Sequence, residues 1–161
     1  MSRLLKVVGF VALLAAMFGV GWIVASIGAG QAVDPASLTD LEREFEENMR
    51  NVVLEGYFTV EGRENPRGNP ERYEIQQVTK VDDTQWRFDA RVTYASVDAT
   101  LPVTVPVVWA GDTPMVSITD FTIPTLGTFT ARVMFYADRY AGSWQHGEFG
   151  GLMYGTIRPN E

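Results

Sequence analysis

The sequence predicts a mainly β chain of α+β class: an N-terminal transmembrane helix, one amphipathic helix, then a 7–8-stranded antiparallel curved sheet or barrel. Three observations predict it. Residues 7–30 form an uncharged apolar run, residues 38–52 repeat apolar side chains at helical spacing, and from Leu54 onward the repeat changes to two residues, broken by Gly, Pro, Asn and Asp. No βαβ rhythm is present, so a parallel sheet is excluded and a two-sheet β-sandwich is the alternative. The 161 residues allow one folded domain, residues 33–161, behind one appendage, residues 1–32.

The appendage comes first. Arg3 and Lys6 precede the 7–30 run, and the first charge after it is Asp34. At about 1.5 Å per residue the run is about 36 Å long, enough to cross a bilayer with some tilt. The positive-inside rule places its N-terminus in the cytoplasm and everything beyond Asp34 outside. An uncleaved anchor is the expected form, because the run is longer than the apolar core of a secretory signal; cleavage near Gly30-Gln31-Ala32 gives a secreted or periplasmic domain instead. Residues 33–161 carry 11 basic and 20 acidic side chains. A domain so acidic is repelled by phosphate backbones and by an anionic membrane surface, and nucleic acid is not an expected partner.

Leu38, Leu41, Phe45, Met49 and Val52 share one helical stripe, which predicts a leading helix over 36–55. Thr39-Asp40-Leu41-Glu42 reads as a capping box, and Asp34-Pro35 offers an earlier start. Leu54, Gly56, Phe58 and Val60 then begin the first strand. Residues 61–72, with Asn65-Pro66 and Asn69-Pro70, read as a loop. Tyr73, Ile75, Thr79 and Val81 alternate with polar residues. After Asp82-Asp83 the pattern resumes as Trp86, Phe88, Ala90, Val92 and Tyr94, giving a hairpin with one apolar face.

Leu101, Val103, Val105, Val107 and Trp109 form the next strand. Pro102 and Pro106 cannot donate ladder hydrogen bonds, so this strand is expected at an edge or with a bulge. A turn at 110–114 leads to a shorter strand from Val116, ending near Pro124. Phe129, Ala131, Val133, Phe135 and Ala137 mark a long strand. The glycines from Gly142 to Gly155, set among Tyr140, Trp144, Phe149 and Tyr154, predict a strongly bent hairpin whose backbone approaches a neighbour closely.

Little catalytic chemistry is written in the chain. Cys is absent, which excludes disulfides, thiolate metal sites and cysteine nucleophiles, and His146 is the single histidine. On one strand Ser143 and His146 point apart, and no G-x-S-x-G elbow exists. His146 with Asp138 or Asp120 could form a base and its orienting carboxylate, against the plainer reading of a strand-end histidine satisfied by a carbonyl. Arg87, Arg91 and Arg132 read as cross-strand partners rather than an anion pocket. Neither a metal motif nor a phosphate loop is present, so no metal and no cofactor is expected. No catalytic residue is assigned.

The remaining candidate is the inward aromatic face. Trp86, Phe88, Trp109, Phe135, Tyr140, Trp144, His146 and Tyr154 are the candidate ligand-binding residues. At the level of pattern the chain resembles lipocalin-like barrels, a likeness that implies carriage of an apolar ligand. The Gly-x-Trp of such barrels belongs on the first strand, where this chain has Gly56-Tyr57-Phe58; its Gly142-Ser143-Trp144 lies near the other end, and no family follows. The expected function is a single-pass accessory protein of a bacterial-type envelope, tethered through residues 7–30, whose β-domain binds a small apolar ligand or an envelope partner without catalysis. A purely structural scaffold is the second expectation. An isomerase or hydrolase using His146, Asp138 and Tyr140 is the third.

Overall fold

A computed structural model describes residues 32–63, 65, 67–123 and 126–161. The expected membrane segment lies outside the described residues, apart from Ala32. Among the described residues no helix is long and apolar enough to cross a membrane.

Asp34 opens a short 3-10 turn, Pro35–Ser37, by accepting the Ala36 N–H at 2.9 Å. Helix α1, Asp40–Asn48, follows. Its capping box is formed: the Glu42 N–H donates to Thr39 Oγ1 at 3.3 Å, and the Thr39 N–H donates to Glu42 Oε2 at 2.9 Å. The other Glu42 oxygen accepts from Lys80 Nζ at 2.6 Å, tying the helix to the sheet. Burial pushes the Glu42 carboxyl up, but Lys80 and Thr39 together outweigh it and hold it below the ordinary range.

The helix is shorter than the expected 36–55. Asn51 turns to φ 51° just after it, a left-handed conformation that asparagine tolerates, and Val52 and Val53 favour extended backbone. Val52 satisfies both the helical stripe and a strand face, and the structure puts it in β1 with Leu54.

Eight strands follow: β1 Val52–Phe58, β2 Asn69–Lys80, β3 Gln85–Tyr94, β4 Val97–Ala110, β5 Thr113–Ile123, β6 Gly127–Tyr136, β7 Arg139–His146 and β8 Phe149–Pro159. Each is antiparallel to the next, and β8 returns to β1, so the sheet closes into a barrel rather than a sandwich. β2 begins at Asn69, inside the stretch expected as loop, because Pro70 near a strand start costs little pairing. One extra residue in β2 between Ile75 and Gln77 shifts the phase. Val78 therefore points inward, fully buried, in place of the expected Thr79 and Val81.

Closure is uneven. β3 and β4 pair over ten positions, whereas β4 and β5 pair only from Val107↔Val116 to Ala110↔Thr113. Among the described residues, 97–106 of β4 and 117–123 of β5 diverge from that four-pair seam, each held on its other side. Pro102 and Pro106 fall on this unpaired length, where a missing N–H is tolerated. The edge expectation thus holds along most of β4, within a barrel that is nonetheless closed.

The core sits at the end where α1 docks. Phe45 enters the barrel and meets Trp86, Trp109, Phe135 and Phe88 with ring centroids 5.3, 5.9, 5.9 and 6.4 Å away. Met49, Val52, Leu54, Ile75, Val107 and Val133 complete the packing around them. This end of the barrel is filled.

Candidate ligand site at the open end of the barrel

At the opposite end no element stops the barrel among the described residues. The inward positions there remain apolar. β1 supplies Phe58, β3 Val92, β4 Leu101 and Val103, β5 Phe121, β6 Phe129 and Ala131, β7 Trp144 and β8 Met153, and each is only partly buried. At the helix end Trp86 is 1% and Phe135 8% exposed, and Trp109 is partly buried. The partly buried inward side chains named above lie toward the rim, and Leu101 and Val103 among them lie on the length of β4 that does not pair with β5.

Local backbone devices aim these side chains. In β5, Thr119 and Asp120 together face the single Thr130 of β6, and Asp120 takes φ 49° with its N–H donating to Thr130 Oγ1 at 3.0 Å. That bulge returns Phe121 to the inward face. The close backbone approach expected of the glycines in β7 and β8 is present, although the pairing of the two strands runs without a bulge. A Cβ on Gly142 would collide with the Arg132 carbonyl, and one on Gly151 with the Thr59 carbonyl, so the close neighbour is adjacent backbone. These contacts bring Trp144 edge-on to Phe58, centroids 5.7 Å apart. The Trp144 indole N–H is shielded and has no hydrogen-bond partner among the described residues.

Below this rim lies a polar cluster that sequence reading missed. Glu71, 6% exposed, is the buried charged side chain of the described core. Tyr140 Oη donates to one of its oxygens at 2.9 Å and Tyr73 Oη to the other at 2.8 Å. Burial raises the Glu71 carboxyl above its ordinary range, and the two phenols offset part of that rise. Tyr140 is pushed up in turn, by burial first and then by the Glu71 charge. The Gly56/Gly155 pair makes the seat, since a Cβ on either would strike the Tyr140 side chain. Glu71 stands in phase with Tyr73 and Ile75, the one available signal, which Asn69-Pro70 masked by suggesting a loop.

The eight candidate residues divide. Trp86, Phe88, Trp109 and Phe135 belong to the filled end around Phe45. Tyr140 is spent on Glu71. Trp144 and His146 stand at the open rim. Tyr154 was expected inward and is not: it is 48% exposed on the outer face beside Tyr57, because β8 turns Gly151, Met153, Gly155 and Ile157 to the interior.

His146 stacks on Phe129 at 4.6 Å, and its Nδ1 bonds the Thr128 carbonyl at 2.9 Å, so Nδ1 carries the proton in that contact. Asp138 precedes the other end of β7, about 26 Å away along a strand. The structure does not bring His146, Asp138 and Tyr140 together. Arg91 forms a two-pronged pair with Asp98, Arg87 lies 3.4 Å from Asp89, and Arg132 donates to the Ile118 carbonyl and Thr119 Oγ1, so the three arginines build no shared pocket. Among the described residues no three acidic or histidine side chains cluster as a metal site. Comparison with protein families, curated proteins and solved structures finds no match for this chain.

Proposed function

We propose that this chain is a membrane-tethered, outward-facing protein whose barrel binds a small apolar ligand at its open end without catalysing a reaction. One observation carries the reading. Inward aromatic and aliphatic side chains stay partly solvent-reachable opposite the helix, while Phe45, Trp86, Phe88 and Phe135 at the helix end are buried. Apolar surface kept open at a concave mouth is costly for folding alone and favours a guest that covers it. The tether rests on the 7–30 run and the cationic residues before it.

The test uses residues 33–161, which contain the whole barrel and its core. Trp144 is half-buried at the rim, whereas Trp86 is sealed in the filled end, so a guest reports through Trp144. Titration with long-chain fatty acid or an apolar dye is expected to shift the tryptophan emission, and Trp144→Phe is expected to abolish that shift. Val103→Asp should weaken binding at least tenfold, as a charge at an apolar contact does. A titration with no shift, or a shift unchanged in both variants, overturns the reading.

A further inference from the structure

The outer surface of the barrel is not uniform. Met115, Met134, Ala141, Tyr154, Tyr57 and Pro70 occupy matching register positions on β5, β6, β7, β8, β1 and β2, forming one unbroken outward row of apolar side chains. Met134 is 47%, Tyr154 48% and Tyr57 45% exposed, and Tyr136 and Leu152 beside the row reach 67% and 60%. At about 4.8 Å per strand the row is about 24 Å long. The outer face of β2 to β4 is different, laced with Arg72–Glu74, Arg87–Asp89 and Arg91–Asp98 pairs.

We infer that the face formed by β6, β7, β8 and β1 lies against the lipid surface to which the chain is tethered. The inference goes beyond the ligand reading and shares with it only the tether. Two features favour lipid as the occupant. First, Gln31 and Ala32 alone separate the 7–30 run from Val33, whose N–H donates to the Lys80 carbonyl at 3.0 Å. So short a connection spans about 10 Å, so the barrel cannot stand clear of the bilayer and some face must meet it. It leaves from the helix end of β2, the strand next to β1. Second, the charge is lopsided. Residues 33–119 hold 16 acidic and 8 basic side chains, whereas residues 120–161 hold 4 acidic and 3 arginines. An acidic domain is repelled least by anionic lipid along its near-neutral stretch, which supplies Met134, Ala141 and Tyr154 at the middle of the row. Tyrosines with apolar bodies and polar tips, flanked by Arg139 and Arg158, suit the boundary between headgroups and acyl chains.

The absence of cysteine makes the test direct. The full chain is reconstituted in vesicles as single-cysteine variants bearing an environment-sensitive fluorophore: Met134→Cys and Leu152→Cys on the proposed contact face, Gln76→Cys and Thr100→Cys on the opposite one. All four positions are exposed or on an outward register, so folding is expected to survive, and far-UV circular dichroism checks it. Labels at 134 and 152 are expected to be quenched at least threefold by a lipid-borne nitroxide and spared by aqueous iodide, with the reverse at 76 and 100. Iodide quenching of all four alike overturns the contact face while leaving the tether intact. Protection at 134 and 152 that vanishes when protein is diluted in lipid overturns it in favour of a second copy of the chain. A chain that does not co-float with vesicles overturns the tether, and the face with it.

Discussion

Glu71 shows what a single buried charge does to this protein. Its folded-state carboxyl titrates above the ordinary range because burial disfavours the anion. Between the unfolded and folded values the folded form holds the extra proton, so stability falls as pH rises through that window. Glu71→Gln removes the titration, and the variant is expected to show a flatter dependence of urea midpoint on pH from 4 to 8 than the parent. An unchanged slope would show that Glu71 does not titrate as its surroundings require. Tyr140→Phe acts in the opposite sense at neutral pH, stripping one donor from a buried carboxylate at a cost of about 1.5–3 kcal/mol, measured by the same unfolding curves. His146 is held by the Thr128 carbonyl and the Phe129 ring, the strand-end role that its isolation in the sequence already favoured.

Helix α1 is amphipathic enough to be read from the sequence, but its work is done by one side chain. Phe45, 5% exposed, touches four rings of the barrel interior. Phe45→Ala is expected to destabilise the domain by about 3–5 kcal/mol, against about 1 kcal/mol for removing the cap in Thr39→Ala. Equal costs in chemical denaturation would mean that the helix merely rests on the rim. Elements with clean periodicity, such as β3 and β6, were legible in full. The bulges in β2 and β5 were not, because one inserted residue reverses the phase without leaving a mark in composition. The orientation of Tyr154 was hidden for a related reason: glycine at 150, 151 and 155 gave no apolar neighbour to set the face. Val52 fits both a stripe and a strand, so the helix end was ambiguous until partners on β2 and β8 resolved it.

For the whole molecule, closure depends on pairings far apart in the chain, and no local pattern announces them. Pro102 and Pro106 did announce where pairing would fail. The four-pair seam between β4 and β5 is the least supported part of the wall, whereas β1 is held on both sides along its length. Hydrogen exchange is expected to be about 100-fold faster at the unpaired amides of 97–105 than at those of β1, with 107–110 protected. Uniform protection around the ring would contradict the split. The stopper at the other end has a separate consequence. A barrel stoppered at its base by Phe45 and the rings around it offers no straight passage along its axis. Under the proposed ligand reading, a guest would therefore enter and leave without crossing that end.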